Sequence, residues 1–249
     1  MTDTVTKEIV GIKHNYPGAL VVVEGTDGSG KSTQLQLLGN WLELEGFAIS
    51  PTEWNSSHLV SGSIKKGKKK GTLNPVTFSL LHATDFADRL EGIIIPALRA
   101  GMIVLADRYM YTAFARDVAR GVPKSWVCRM YDFAIIPDAA FYFKVPVDIS
   151  LDRITITRPP KYYEAGMDLS LSDDPFESYR IFQSRVIEEY DQMSPDFGLH
   201  IIDGTKPIFE QQSQFRKHIS SLLNDKFNYV PQYRDIVAEE LISDRGELT

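Results

Sequence analysis

The sequence predicts an α/β fold in three layers: a parallel five-stranded sheet, helices on both of its faces, and a mobile lid. Two patterns carry this expectation. Short apolar runs alternate with longer amphipathic stretches along most of the chain, the signature of strands joined by crossover helices. The runs Ala19–Glu24 (ALVVVE) and Met102–Ala106 (MIVLA) lack polar alternation, as strands covered on both faces do.

Taken in order, the first strand is followed by a helix from Lys31 to about Glu45, with Leu35, Leu38 and Leu42 on one face and Gly46 to stop it. Phe47–Ser50 reads as a short strand. The polar stretch Asn55–Asn74 contains the basic run Lys65–Lys70 (KKGKKK), which reads either as a solvated flexible loop or as an electrostatic trap for an anion. Pro75 suits a helix start, and a helical pattern continues to about Ala100 with a break near Pro96. After the MIVLA strand, Tyr111–Ala119 and Ser125–Phe133 are helical in pattern. Ala139–Val145 is a strand, Pro146 opens a helix to about Thr157, and Arg158–Asp173 is a polar loop with Pro159, Pro160 and Gly166. Asp174 caps a helix to about Met193, with Pro175 in its first turn and Glu177 three residues after the cap. His200–Asp203 supplies a last strand and Lys206–Leu223 a last helix. The expected division is one domain over 1–225, with an acceptor-binding region at about 51–120, a lid at about 153–174, and a tail at 226–249.

Composition narrows the classes. The 249 residues carry a net charge of −6, so the chain as a whole does not resemble a nucleic-acid binder. With 43% hydrophobic and 24% charged residues it has the balance of an ordinary globular protein. The single cysteine, Cys128, excludes an internal disulfide and a cysteine-only zinc site. Met1–Gly18 lacks the apolar run of a signal peptide, and no stretch approaches the length of a spanning helix, so the expected compartment is the cytoplasm, with no membrane partner.

The chemistry sits between the first strand and the first helix. Gly25-Thr26-Asp27-Gly28-Ser29-Gly30-Lys31-Ser32 fits Gly-x4-Gly-Lys-Ser/Thr, the phosphate-binding P-loop, in the strand–loop–helix context that gives the motif its meaning. Glycines let the chain curl until successive N–H groups point at phosphate oxygens, and the new helix adds the positive end of its dipole. Lys31 is placed to reach the β- and γ-phosphates, the Ser32 hydroxyl to coordinate Mg2+, and Thr33 to lie near the α-phosphate. Asp27 is electrostatically awkward in an anion cradle. It makes sense opposite a hydroxyl or a metal-bound water, or as a loop-stabilising acceptor. Asp107-Arg108-Tyr109 follows an apolar strand. There Asp107 can hold magnesium through its waters, and Arg108 can face the crevice at the carboxyl ends of the strands. Arg153, Arg158 and Lys161 cluster about the polar loop, where basic side chains can close over phosphates and exclude water. A solvated helix face is the alternative for Arg153.

At these residues the chain resembles the thymidylate kinase family: VVVEGTDGSGKSTQ (Val21–Gln34), LADRY (Leu105–Tyr109) and PDAAFYFKVPVDISLDRI (Pro137–Ile154) are similar to its motifs. The resemblance implies ATP and dTMP as substrates, Mg2+ as cofactor and a homodimer. It implies that Asp27 contacts the phosphate–sugar region of the acceptor and Arg108 its phosphate. The lid basics would replace the basic P-loop residue of one branch, since Ser29 follows Gly28 here. The acceptor side departs from the family. Where the family holds the base with an aromatic residue and, one turn later, an arginine, this chain aligns His82 and Phe86, with Arg89 a turn beyond as a substitute. Where the family has a Tyr-Gln pair, this chain has Arg116-Asp117. Two other readings stand beside thymidylate kinase activity: a kinase of the same fold acting on another nucleotide or phosphorylated metabolite, and a nucleotide-dependent switch or binding protein. The second finds no Asn-Lys-x-Asp signature, and the acid after the MIVLA strand is Asp107-Arg108 rather than a switch-type Asp-x-x-Gly.

Overall fold

Along strand β1 (Ala19–Glu24), alternate side chains leave opposite faces of the sheet and enter two different cores. Leu20 and Val22 pack with Val104, Ala106, Ala140 and Tyr142 into one, while Ala19, Val21 and Val23 pack with Ile103, Leu105, Phe141 and Phe143 into the other. Both faces are covered, which is why these strands read as unbroken apolar runs. The structure is a computed structural model that describes residues 10–230.

Within them, helix α1 (Lys31–Leu44) leads to β2 (Ile49–Glu53), α2 (Ser61–Lys70), α3 (Pro75–Arg89) and α4 (Ile95–Arg99). Strand β3 (Ile103–Asp107), α5 (Met110–Ala119), α6 (Lys124–Met130), β4 (Ala139–Lys144) and α7 (Val147–Thr155) follow. Helix α8 (Pro175–Phe197), β5 (His200–Asp203) and α9 (Ile208–Phe227) complete the chain as described. The five strands form one parallel sheet in the order β2-β3-β1-β4-β5. Helices α3, α4, α5 and α8 contribute to one core; α1 and α9 cover the other face. The predicted three-layer α/β fold is the one observed.

Several boundaries differ for local reasons. Strand β2 begins later than expected and runs through Pro51, paired with β3 from Ile49 opposite Ile103 to Glu53 opposite Asp107. A proline fits there because β2 is an edge strand. The basic run is not a loop but lies within α2. Its lysines Lys68, Lys69 and Lys70 occupy the last turn, where cations complement the helix dipole, and Gly71 closes the helix at φ +62°. Ile64 and Gly67 are its buried residues. The long helix from Pro75 divides: a π-helical turn spans Leu90–Ile94 just before Pro96, whose missing N–H breaks the regular ladder. The polar segment after α7 is a series of turns with one 3₁₀ turn, Met167–Leu169. Asp174 caps α8 as predicted, its side chain accepting the Phe176 N–H. Most of the expected tail, 231–249, and the first nine residues of the chain lie outside the described residues.

Candidate active site

The P-loop lies where β1 ends and α1 begins, at the centre of the sheet. Gly25, Gly28 and Gly30 have φ of +141°, +79° and +88°, conformations that side-chain-bearing residues resist. Space adds to this: a Cβ on Gly25 would stand 2.6 Å from the Phe143 carbonyl oxygen, and one on Gly28 2.6 Å from that of Ser150. At Gly30 a Cβ would meet nothing within 4 Å, so only the backbone demands glycine there.

The first helical bond of α1 runs from Gln34 N–H to the Gly30 carbonyl at 3.1 Å, which leaves the amides of Lys31, Ser32 and Thr33 without an intrahelical acceptor. Thr26 Oγ1 and Ser29 Oγ are buried and unpartnered among the described residues. A strand–loop–helix junction with this many free donors suits a polyphosphate. Lys31 is buried, and among the described residues its ammonium donates only to the Thr26 carbonyl, at 3.3 Å. Burial, with Arg108 nearby, pushes its pKa down. The Ser32 hydroxyl donates to Asp107 Oδ2 at 2.5 Å, so the loop and the end of β3 present hard oxygen donors side by side. Such donors fit Mg2+, which favours carboxylate, hydroxyl and phosphate oxygens.

Beneath the loop, Glu24 is fully buried and accepts the Tyr109 N–H at 2.8 Å, the Thr112 hydroxyl at 2.6 Å and the Tyr190 hydroxyl at 2.8 Å. Burial raises its pKa despite these donors. Glu24 therefore ties β1 to α5 and α8 behind the loop. Tyr190, too ordinary in sequence to single out, gains its role only from this contact.

Arg108 sits at φ +74°, a left-handed conformation unusual for arginine. Its guanidinium donates to the Gly25 carbonyl at 2.8 Å and to Asp27 Oδ1 at 2.6 Å. Arg116 approaches Asp27 Oδ2 at 3.4 Å. Burial alone would raise the Asp27 pKa, but Arg108, Arg116 and Lys31 outweigh it and hold the carboxyl ionised, well below the usual range. Asp27 thus belongs to a cation cluster, and its presence in an anion cradle follows from that.

From Asp27 a cleft of about 450 Å³ opens between α2, α3, α5 and the segment after α7. Its walls carry Arg108, Arg116, Arg158, Lys161, Lys68 and Lys69, opposed by Asp27 and Glu164. Cations prevail, which suits an anionic ligand. Its aromatic wall is Phe78, stacked on Tyr163 at 5.1 Å and tilted against His82 at 4.2 Å, with Trp54 5.4 Å from His82. His82 is buried. Desolvation first, then Lys68, Arg120, Arg116 and Arg89, hold its pKa well below 6.5, so the ring is neutral.

The remaining expected site residues divide. Arg158 lines the cleft but is held by Glu164 in a two-pronged pair at 2.7 and 2.9 Å. Glu164 also accepts the Lys161 N–H at 2.9 Å, and so organises both lid basics. Arg153 lies elsewhere: it donates to the Gly28 carbonyl at 3.2 Å and the Gly204 carbonyl at 2.9 Å, bracing the P-loop from behind. Phe86 and Arg89 are not at the cleft. Phe86 is buried against Tyr109, Tyr131 and Phe133. Arg89 is fully buried and pairs with Asp85 at 3.0 Å and Thr52 at 3.1 Å. Asp117 is also withdrawn, accepting the Ser79 hydroxyl at 2.5 Å under α3. Position along α3 explains the exchange: Phe78, His82, Phe86 and Arg89 share one face of the helix, whose first half borders the cleft and whose second half is buried in the interior. Residues the sequence did not single out, Trp54, Phe78, Tyr163 and Glu164, complete the walls, together with Lys68 and Lys69 of the basic run.

The sequence model of the thymidylate kinase family matches residues 23–215, which includes the P-loop, the Asp107–Arg108 element and the cleft up to α9. The chain belongs to the thymidylate kinase family. A probable thymidylate kinase 2 of Saccharolobus solfataricus is 44% identical over 211 residues, covering 84% of this chain and 98% of that protein. A probable thymidylate kinase of Thermococcus kodakarensis is 30% identical over 216 residues, 83% and 99% of the two chains. The thymidylate kinase of Thermosipho africanus is 31% identical over 212 residues, 81% and 99%. In this member of the thymidylate kinase family, the P-loop, Asp107 and Arg108 lie together where β1 and β3 end. The wall opposite, at Trp54, Phe78 and His82, is where residue placement had to come from the fold.

Proposed function

We propose that the protein is an ATP-dependent nucleoside monophosphate kinase that converts dTMP and ATP into dTDP and ADP. The observation that carries the reading is Asp27. It stands at the junction of a phosphate-binding loop and a cation-lined cleft, bound by Arg108 and Arg116, and joins the donor's site to the acceptor's. Family membership supports the same substrates.

In this reading an acceptor phosphate oxygen attacks the γ-phosphorus in line with the breaking bond to the β–γ bridging oxygen, and no covalent enzyme intermediate forms. The chain supplies position and charge. Lys31 and the P-loop amides hold the β- and γ-phosphates, Arg108 and Arg116 orient the acceptor phosphate, and Arg158, with Lys161, leaves Glu164 to neutralise charge as the two anions meet. Arg153 keeps the loop in place. Ser32 and Asp107 would hold Mg2+, which would supply charge neutralisation to the triphosphate. A homodimer and a cytoplasmic location belong to the same reading; light scattering and fractionation test them.

The deciding assay couples ADP release to turnover with ATP, Mg2+ and a panel of monophosphates. Turnover with dTMP above all others is expected. Turnover confined to another acceptor would replace dTMP while leaving the kinase reading intact. Slow hydrolysis of ATP indifferent to every acceptor would remove the kinase reading itself.

A further inference from the structure

Three successive carbonyls after α7, those of Tyr163, Glu164 and Ala165, are each held by a buried side chain from the body of the fold. Arg120 Nη2 donates to Tyr163 at 2.5 Å, Gln183 Nε2 to Glu164 at 2.7 Å and Ser178 Oγ to Ala165 at 2.7 Å. Arg120 follows the last turn of α5, and Ser178 and Gln183 stand on α8; all three are buried. A buried donor is costly to leave unpaired, so this backbone cannot lift away without stranding all three. At the next residue the chain presses on α8, where a Cβ on Gly166 would stand 2.7 Å from Phe182 Cβ. A turn closes over the same stretch: the Glu164 and Ala165 N–H groups donate to the Lys161 carbonyl at 3.0 and 2.8 Å. Residues 161–166 therefore form a fixed block.

The five residues before the block are held differently. The backbone N–H groups of Ile156, Thr157 and Arg158 donate back to Asp152 and Ile154 at the end of α7, and Ile156 is 82% exposed. Among the described residues, the hydrogen bonds that tie 156–160 forward to the block are those of Arg158 with the Glu164 carboxylate. The lid expected over 153–174 thus divides into a short arm that carries Arg158 and a fixed carboxylate on which the arginine rests. The division matters for charge. A carboxylate free to travel with Arg158 would reach the phosphates beside it and cancel the charge that the arginine brings.

We propose that Arg120, Ser178 and Gln183 are positioning residues for phosphoryl transfer: by holding these three carbonyls they keep the Glu164 carboxylate stationary, so that Arg158 parts from it to meet the phosphates and the backbone that moves is 156–160 alone. This rests on the kinase reading above. None of the three needs to touch a substrate; each acts through Glu164. Lys161 belongs to the fixed turn and serves through its side chain.

The test combines steady-state kinetics of full-chain Gln183→Met and Ser178→Ala, each alone and joined to Glu164→Gln, with hydrogen exchange read by mass spectrometry. Gln183→Met keeps the side chain's length and removes its donor. Ser178→Ala removes one hydroxyl and decides the matter if Gln183→Met melts early. Each should lower kcat with ATP and dTMP by about threefold to tenfold while both KM values stay within about twofold. On Glu164→Gln, which has no charge to carry along, the same changes should alter kcat by less than about twofold. Exchange over 161–167 should be slow in the unaltered protein and quicken by about tenfold or more in Gln183→Met, with 156–160 fast in both. An equal fall in kcat on both backgrounds would make the three donors merely structural and overturn the proposal while leaving the kinase. Unchanged kcat in the folded variants, or one common exchange rate over 156–167 in the unaltered protein, would overturn it in the same way. An unaltered protein that transfers to no monophosphate would remove the kinase reading, and this proposal with it.

Discussion

Asp27 Oδ1 and Arg108 Nη2 lie 2.6 Å apart, so the one acid in the P-loop is neutralised by an arginine on the wall of the cleft. The same guanidinium holds the Gly25 carbonyl, which couples the loop's shape to the cleft wall. Asp27→Asn and Arg108→Ala should each lower kcat by on the order of 10²-fold, since both disturb charge placed for the transition state. The double variant should fall short of the product of the two, with a coupling of about 1–3 kcal/mol in a double-mutant cycle. Strict additivity would mean that the two residues act separately.

Lys31→Ala separates catalysis from folding. Among the described residues the ammonium makes one long bond, 3.3 Å to the Thr26 carbonyl, and burial works against its charge, so the fold gains little from it. Its removal should leave the melting temperature within a few degrees yet reduce transfer by roughly 10²-fold or more. The pairing of thermal melts with the coupled assay checks both halves. Retained turnover would move the triphosphate away from this loop.

Lys68 brings a pH dependence. Burial first, then Arg116 and Arg120, lower its pKa to about 8, so the ammonium is lost as pH rises through that value. Arginines do not titrate in this range, and a phosphomonoester is already fully ionised. KM for the acceptor should therefore climb between pH 7 and 9, on the order of threefold to tenfold. Lys68→Arg, charged throughout, should flatten the profile. Equal slopes for the two proteins would remove Lys68 from the acceptor's surroundings.

How much of this was legible in the sequence depends on distance along the chain. The P-loop assignments span eight consecutive residues, and the strands announce themselves by unbroken apolar runs because both sheet faces are covered. The cleft is different. Trp54 comes from the end of β2, Phe78 and His82 from α3, and Tyr163 and Glu164 from the turns after α7, so no local pattern unites them. Phe86 and Phe78 are two helical turns apart and equally apolar. Only the docking of α3 decides which is core and which is wall. The lysine run misled for another reason: six residues with one glycine resemble a solvated loop, and it is the dipole of α2, its Gly71 cap and two buried positions that make them helical.

Asp117 shows what a polar residue beside the cleft costs when it does not serve it. Its carboxyl is buried under α3 with one short bond from Ser79, and its second oxygen is unpartnered among the described residues. Burial raises its pKa to about 6, with Ser79, Arg120 and Arg116 opposing. The folded state therefore binds a proton that the unfolded chain, at about 3.8, has already released. The stability tied to that proton is complete below pH 3.8 and is lost as pH rises through 6. At pH 8 the buried charge costs roughly 2–3 kcal/mol, since each tenfold difference in proton affinity between the folded and unfolded chain is worth about 1.36 kcal/mol. Asp117→Asn has no charge to bury and can still accept from Ser79. It should be more stable than the unaltered protein at pH 8, by on the order of 1–3 kcal/mol in urea titrations, with the gap closing towards pH 4. KM for dTMP should change less than twofold, since the carboxyl does not line the cleft. A gap that persists unchanged at pH 4 would deny the buried charge. A tenfold rise in that KM would return Asp117 to the acceptor site, where the sequence first placed it.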